Sequence, residues 1–311
     1  MADIKKVAVH YNAWIKSDNE FQRRARLLQS IWREKKGYAA GEHKGQMLGS
    51  RITEADAIAG HNFLTPGIHK VAKRAKAHRN GQVIEPNRLF GNLLSSQPLC
   101  FNLFGELADG GNIGDFRIAT SIFSEMIQRP MKTVSHLEFE KSPGRGDVEF
   151  LGDGTAFDFY VEYVTAAEGK GFIGIEIKYH ENLVSTERIT EGTRYHEVAT
   201  RSEWFRKDAY LELGKSPLVQ IWRDHLLAAS MLQHKKSDFQ EGYYLIIYPH
   251  GNRACSEAIA RYRTLLDSKD TFIDKTLEQA CLVLKKYVNE KWLDEFEKRY
   301  LDFAQVDRLI G

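Results

Sequence analysis

The sequence predicts an α/β protein in which a helix, three strands, a helix and a further strand follow one another, with helical additions at both ends. Three observations carry this. Thr155–Val164 and Phe172–Tyr179 alternate apolar with small or charged residues, the period of a strand with two unlike faces, and A-A-E-G-K-G between them suits a hairpin turn. Gly242–Pro249, G-Y-Y-L-I-I-Y-P, is a continuous apolar run bounded by Gly and Pro, as a buried strand requires. Around these segments apolar residues recur at helical spacing.

Taken in order, Ser17–Lys36 reads as a helix capped by Ser17 or Asp18, with Phe21, Ala25, Leu28, Ile31 and Trp32 inward. Its other face carries Arg23, Arg24, Arg26, Arg33, Lys35 and Lys36, which read first as a solvated face and otherwise as a phosphate-contacting one. Gly37–Gly49 is punctuated by glycine and reads as loop. Pro66–Gly81 holds Lys70, Lys73, Arg74, Lys76 and Arg79 with His69 and His78 and no acidic residue. Such a helix either lies along a nucleic-acid backbone or simply faces solvent. Ser95 or Ser96 then caps a helix with Pro98 in its first turn, and Leu99, Phe101, Leu103, Phe104 and Leu107 make it apolar on most sides, hence buried. Gln97 and Asn102 in that run read as satisfied core amides.

Asp115–Pro130 is a second amphipathic helix, and Val134–Glu140, V-S-H-L-E-F-E, alternates as a strand. After the hairpin comes a long polar segment, Glu181–Gly214. His180-Glu181 at its start and His196-Glu197 within it have no second histidine at metalloprotease spacing, which excludes a zincin. In Ser216–Gln233, Ser216 reads as a cap, Pro217 as the first helical residue, and Val219, Trp222, Leu226, Leu227 and Met231 as the apolar stripe. Helical patterns over Cys255–Leu266, Phe272–Val288 and Lys291–Ala304 complete the chain.

A chain of 311 residues can bury one large core or two smaller ones. The composition divides it into a basic helical N-terminal region (1–87), a core (88–250) and C-terminal helices packed on that core (251–311). A net charge of +2 gives no sign of nucleic-acid binding by itself, so local patches must carry that argument. Cys100, Cys255 and Cys281 are widely spaced and form no C-x-x-C pair, which fits reduced core thiols in a cytoplasmic protein. No apolar run reaches bilayer length, and the first residues form no long apolar stretch, so a soluble protein without a membrane role is expected.

Folding the two halves of the hairpin together brings Asp158 opposite Glu176. Lys178, two residues on, points to the same face as Glu176. Charges on a largely apolar sheet are costly unless paired or neutralised by a metal. Two carboxylates converging with a lysine is an arrangement that binds magnesium and activates water against a phosphodiester. An E-x-K on a strand is by itself more often a surface ion pair. The F-D-F setting of Asp158 and the ordered scaffold around it favour the catalytic reading. Glu140 ends the strand before the hairpin, where an antiparallel neighbour would bring it near Asp158, and reads first as a loop-facing surface residue. Glu106, in the buried helix, is a weaker candidate still.

With Asp158 on the second strand and Glu176-x-Lys178 on the third, the chain resembles the PD-(D/E)XK nuclease superfamily. That resemblance implies a restriction-endonuclease-like core, an α-β-β-β-α-β mixed sheet flanked by helices. The runs N-L-L-S-S-Q-P-L-C-F-N-L-F-G, T-A-F-D-F, F-I-G-I-E-I-K-Y-H-E-N-L and P-L-V-Q-I-W-R-D-H-L-L-A are similar to one bacterial branch of restriction endonucleases in that superfamily. Phe157 stands where the superfamily name asks for proline, a position at which the proline is often missing. The resemblance implies that Asp158 and Glu176 hold a divalent metal, Mg2+ with Mn2+ as a substitute, helped by the backbone carbonyl of Ile177. It also implies that Lys178 orients the attacking water and that Gln220, on the following helix, faces the site. The expected activity is metal-dependent hydrolysis of DNA in restriction, phage defence or repair, with a homodimer if two strands are cut together. A catalytically silent nucleic-acid-binding or assembly module of the same fold is the alternative, and an RNA-cleaving defence effector differs from the leading reading only in substrate.

Overall fold

The structure, a computed structural model, describes residues 4–77, 84–108, 116–190, 192–288 and 291–311. In chain order the elements are α1 (Ile4–His10), α2 (Glu20–Lys35), β1 (Ala40–His43), β2 (Gln46–Ile52), α3 (Glu54–Ala59), α4 (Pro66–Ala77), α5 (Pro86–Gly91) and α6 (Ser96–Ala108). There follow α7 (Phe116–Ile127), β3 (Met131–Lys141), β4 (Phe157–Thr165), β5 (Lys170–Ile177), α8 (Arg194–Ser202), α9 (Tyr210–Leu213), α10 (Val219–Gln233), β6 (Phe239–Tyr248), α11 (Arg253–Arg263), β7 (Phe272–Thr276), α12 (Leu277–Tyr287), α13 (Lys291–Tyr300) and α14 (Ala304–Ile310). No described helix is long and apolar enough to cross a membrane. The described residues form two compact units: 4–77 and 84–108 with the C-terminal stretch from Val288, and 116–287.

The second unit is the α/β core. Its five-stranded sheet has the order β3-β4-β5-β6-β7, antiparallel from β3 to β5 and parallel from β5 to β7, so it is mixed. Strand β5 is buried at every residue from Gly171 to Ile177, as a central strand with both faces covered must be. On one face α10 packs against β5 and β6, and Trp222, Leu226, Phe172, Tyr244 and Ile246 share one apolar cluster. On the other α7 packs against β3, and Phe123 stacks on Phe159 of β4 at 6.1 Å. Tyr160, in the same cluster as Trp222, pairs across the strands with Gly174. A Cβ on Gly174 would stand 2.3 Å from the Phe157 ring, so glycine is what leaves room for that buried ring against β5.

The first unit is helical apart from the β1–β2 hairpin. This corrects the loop expected over Gly37–Gly49: Lys44 and Gly45, with φ of 53° and 77°, form a two-residue turn of the kind that matches strand twist. Helix α2 begins later than expected. Asn19, not Ser17 or Asp18, caps it in a reciprocal box with Gln22. Asp18 instead takes a two-pronged bond from Arg26 (2.6 and 3.1 Å), which also reaches Ser50 at 3.0 Å. Arg33 donates to the carbonyls of Gly49 and Tyr38. Both arginines are buried, and Arg24, Lys35 and Lys36 bind Asp307, Gln305 and Glu295. Arg26 and Arg33 are therefore internal fasteners, while Lys35 and Lys36 stay exposed, as on a solvated face. Arg299, fully buried in α13, closes the same unit by donating to Gln29 and Asn62 and lying 4.1 Å from the Trp32 ring. Asn102 is a satisfied core amide, as expected, bonded to Leu64, Asn62 and Tyr300.

Two further expectations change. Phe272–Thr276 is an edge strand and not the start of a helix, because pairing with β6 takes precedence over the helical pattern that begins at Leu277. Helix α10 starts at Val219. The Ser216–Pro217 peptide is cis, and the Ser216 hydroxyl accepts from the Ser185 amide instead of capping. The polar stretch Glu181–Gly214 contains α8 and α9. His78 and Arg79 of the basic run, and Asp115, lie outside the described residues.

Candidate active site

The β4–β5 ladder runs from Val164↔Lys170 to Phe159↔Ile175 and stops there. One step further the register sets Asp158 opposite Glu176, as the sequence predicted. Here the two backbones are joined through a side chain: the Ile177 amide donates to Asp158 Oδ2 at 2.8 Å. Asp158 thus takes the place of a ladder carbonyl at the point where the strands part. On the other side β5 stays paired to β6 as far as Lys178, whose amide donates to the Ile247 carbonyl at 2.8 Å. That bond fixes the backbone under the lysine.

Side chains from β5 and α10 then converge. Lys178 Nζ donates to Glu176 Oε1 at 2.5 Å, and Gln220 Nε2 donates to the same oxygen at 3.2 Å. Glu176 and Lys178 are 6% and 5% exposed, so this is an internal ion pair, not the surface pair that an E-x-K usually makes. Gln220 reaches the site from the first turn of α10. Asp224, one turn on and therefore on the same helix face, is buried as well, with the Tyr244 hydroxyl 3.5 Å from Oδ2.

Glu140 is the largest departure from expectation in this region. The flanking pairs Phe139↔Phe159 and Lys141↔Phe157 place it across from Asp158, and it is 7% exposed instead of facing solvent. Its φ of 56° is in the left-handed region, which non-glycine residues rarely adopt and which concentrates at functional sites. Glu106 accepts a hydrogen bond from the Thr65 hydroxyl within the first unit.

The electrostatics follow from this crowding. Burial raises the Asp158 carboxyl well above its ordinary range, and the charges of Glu176 and Glu140 raise it further against the opposing pull of Lys178. Asp224 is raised for the same first reason, then by Glu176. Burial alone would lower Lys178, but Glu176, Glu181, Asp158 and Asp224 outweigh it and raise it, so the side chain is a permanent cation. The face therefore holds several carboxylates around one ammonium, a balance that favours an added cation.

The donor chemistry is all oxygen, which suits a hard divalent ion. Among the described residues no group of three or more His, Cys, Asp or Glu side chains is set out as a metal cage. Asp158 and Glu176 form a two-carboxylate set, the kind magnesium uses when it keeps waters and takes oxygens from a phosphate. Both bonds to Glu176 fall on Oε1. In donor type the residues fit such an ion.

Asp158, Glu176, Lys178 and Gln220 are thus brought together as the sequence suggested, while Asp224 and the burial of Glu140 were missed. The four-residue spacing from Gln220, which puts Asp224 on the same helix face, was the available signal for Asp224. Asn252 was missed too. It caps α11 and donates to the carbonyls of Tyr179 and Glu181 at 3.0 and 2.9 Å, which pins the chain leaving β5. A family model described as the PD-(D/E)XK nuclease superfamily matches residues 16–302 of this chain. No curated protein and no solved structure matches it.

Proposed function

This chain belongs to the PD-(D/E)XK nuclease superfamily, and on that premise we propose that it hydrolyses phosphodiester bonds of DNA with a divalent metal, Mg2+ or Mn2+. The observation that carries the reading is the buried Lys178–Glu176–Gln220 contact beside Asp158, at the point where β4 and β5 part. Asp158 and Glu176, with the carbonyl of Ile177, would hold the metal. A divalent ion in that place supplies Lewis-acid stabilisation of charge on the scissile phosphate.

The chain's own residues do the rest. Lys178, held as a cation, orients the attacking water and stabilises charge developing on the phosphate oxygens by donating, not by accepting a proton. Gln220 fixes the rotamer of Glu176, and the Ile177 amide fixes that of Asp158. Similarity to a bacterial branch of restriction endonucleases supports a role in restriction, phage defence or repair.

A second reading rests on a specific observation. Glu176 Oε1 is already taken by Lys178 and Gln220, and no larger carboxylate cage stands among the described residues. A silent nucleic-acid-binding or assembly module would keep such a self-satisfied cluster. The deciding experiment incubates plasmid, linear single- and double-stranded DNA, and RNA with Mg2+, Mn2+ or EDTA. Wild type is compared with Glu176→Ala and Lys178→Ala. Metal-dependent cutting that falls by about 10²–10³-fold in both variants is expected. Cleavage of RNA alone would replace the substrate, and a nicked against a linear plasmid product reports whether two copies act together. If every substrate stays intact and calorimetry shows no Mg2+ or Mn2+ uptake, the silent module stands.

A further inference from the structure

The first unit contains a cavity of about 610 Å³ that shares no residue with the carboxylate face. Its size lies within the roughly 300–1,000 Å³ of small-molecule sites. It is walled by the end of β2, by α3 with its cap, by one stripe of α4 and by α5. The wall divides by chemistry. Ile52, Ala57, Ile58 and Phe90 make an apolar side, on which Ile58 is 69% exposed, unusual for so large an aliphatic residue. Arg51, Lys73 and Lys76 make a cationic side. His69, Lys73 and Lys76 recur at the spacing of one helix face, in a helix without an acidic residue.

The cations here are not absorbed by internal contacts as Arg26 and Arg33 of α2 are. Glu42 and Glu54 also line the cavity but form no ion pair with Arg51, Lys73 or Lys76 among the described residues. Burial lowers Arg51, with only partial compensation from the charge of Glu85. His69 is lowered by burial and then by Lys73 and His61, so its ring is neutral at physiological pH. Its Nε2 is buried and has no hydrogen-bond partner. Lys76 Nζ lies 5.4 Å from the centre of the Phe90 ring, at the seam between the two sides.

An inorganic anion would leave the apolar side uncovered, and a purely apolar ligand would cover three cations without neutralising them. One common ligand chemistry satisfies both halves: a flat heteroaromatic ring carrying a phosphate. We propose that this cavity binds a nucleoside phosphate unit. The base lies along Phe90 and Ile58, and the phosphate meets Arg51, Lys73 and Lys76. The unit comes either from a free nucleotide or from a nucleic-acid strand. The inference is independent of the nuclease reading, since a protein that cleaves nothing could still carry this site.

The test titrates the full chain, in EDTA, with nucleoside monophosphates, the parent nucleosides, inorganic phosphate and a short single-stranded oligonucleotide, followed by calorimetry. Lys73→Gln and Ile58→Glu alter exposed side chains of the cavity, and Glu176→Gln alters only the carboxylate face. Thermal unfolding of each variant confirms that it is folded. A monophosphate is expected to bind more tightly than its nucleoside or than inorganic phosphate. Lys73→Gln is expected to weaken it by about tenfold or more, the loss of one charge-assisted bond. Ile58→Glu should abolish binding, and Glu176→Gln should leave it unchanged. A free monophosphate binding at least as well as the oligonucleotide identifies a nucleotide ligand, and the reverse order with the same variant response identifies a strand. The proposal is overturned by inorganic phosphate binding as well as any monophosphate, by binding that ignores Lys73→Gln, by loss in Glu176→Gln, or by no binding at millimolar concentration.

Discussion

Replacing Lys178 by methionine removes the one ammonium that Glu176 holds at 2.5 Å, while the carboxylate stays 6% exposed. Leaving one member of a buried ion pair alone costs about 3–5 kcal/mol. For a unit of this size that corresponds to a fall of roughly 6–20 °C in Tm. Glu176→Gln should be less severe, because glutamine can still accept from Lys178 and Gln220. The double variant Glu176→Gln/Lys178→Met removes both members of the pair and should recover most of the loss, giving a coupling of at least about 2 kcal/mol. The assay is urea unfolding at neutral pH, followed by tryptophan fluorescence, which Trp222 in the cluster beneath α10 reports. Cleavage assays on the same three proteins separate structure from chemistry, since the double variant should be stable and inactive. A Lys178→Met protein as stable as wild type, or a double variant carrying the sum of both losses, would refute the internal ion pair and with it the preorganised site.

Two further outcomes are expected. His225 is fully buried between Tyr262 and Thr271, and burial lowers its pKa to about 3. Against an unfolded value of about 6.5 this withdraws stability as pH falls, fully present above pH 6.5 and lost progressively toward pH 3, to a total of roughly 5 kcal/mol. His225→Phe should flatten that acid limb, and an unaltered slope of unfolding free energy between pH 4 and 6.5 would count against it. Gly174→Ala should lower stability by about 1–3 kcal/mol through collision with the buried Phe157 ring, 2.3 Å from the new Cβ. Shortening that ring with Phe157→Leu should recover part of the loss, and an unchanged Tm in Gly174→Ala would show that the sheet shifts freely.

What the sequence revealed depended on how local the signal was. The β4–β5 hairpin and the face shared by Asp158, Glu176 and Lys178 follow from strand period alone, and β6 followed from its apolar run. Gln220 came through resemblance, but Asp224, one turn further along the same helix, did not, because an aspartate on a helix normally reads as solvated. Glu140 was misread because its burial depends on a left-handed turn of the backbone that no residue at that position advertises. The arginines of α2 were misread for a related reason. Arg26 and Arg33 find their partners in Asp18, Ser50 and the Gly49 carbonyl, across a hairpin that was itself taken for a loop. Charge pattern along one helix cannot show what lies against it.

The connectivity of the first unit orders events at the ribosome. Arg299, which bonds to Gln29 and Asn62, is more than two hundred residues beyond the N-terminal elements it completes. The sheet of the second unit, by contrast, is encoded without interruption between Met131 and Thr276. A growing chain can therefore finish its sheet while the N-terminal helices still lack their last partners, and the buried face of α2 must wait in an unfinished state until α13 and α14 have emerged. The carboxylate face can form before the rest of the molecule closes, and the helical unit is the step most exposed to aggregation during synthesis.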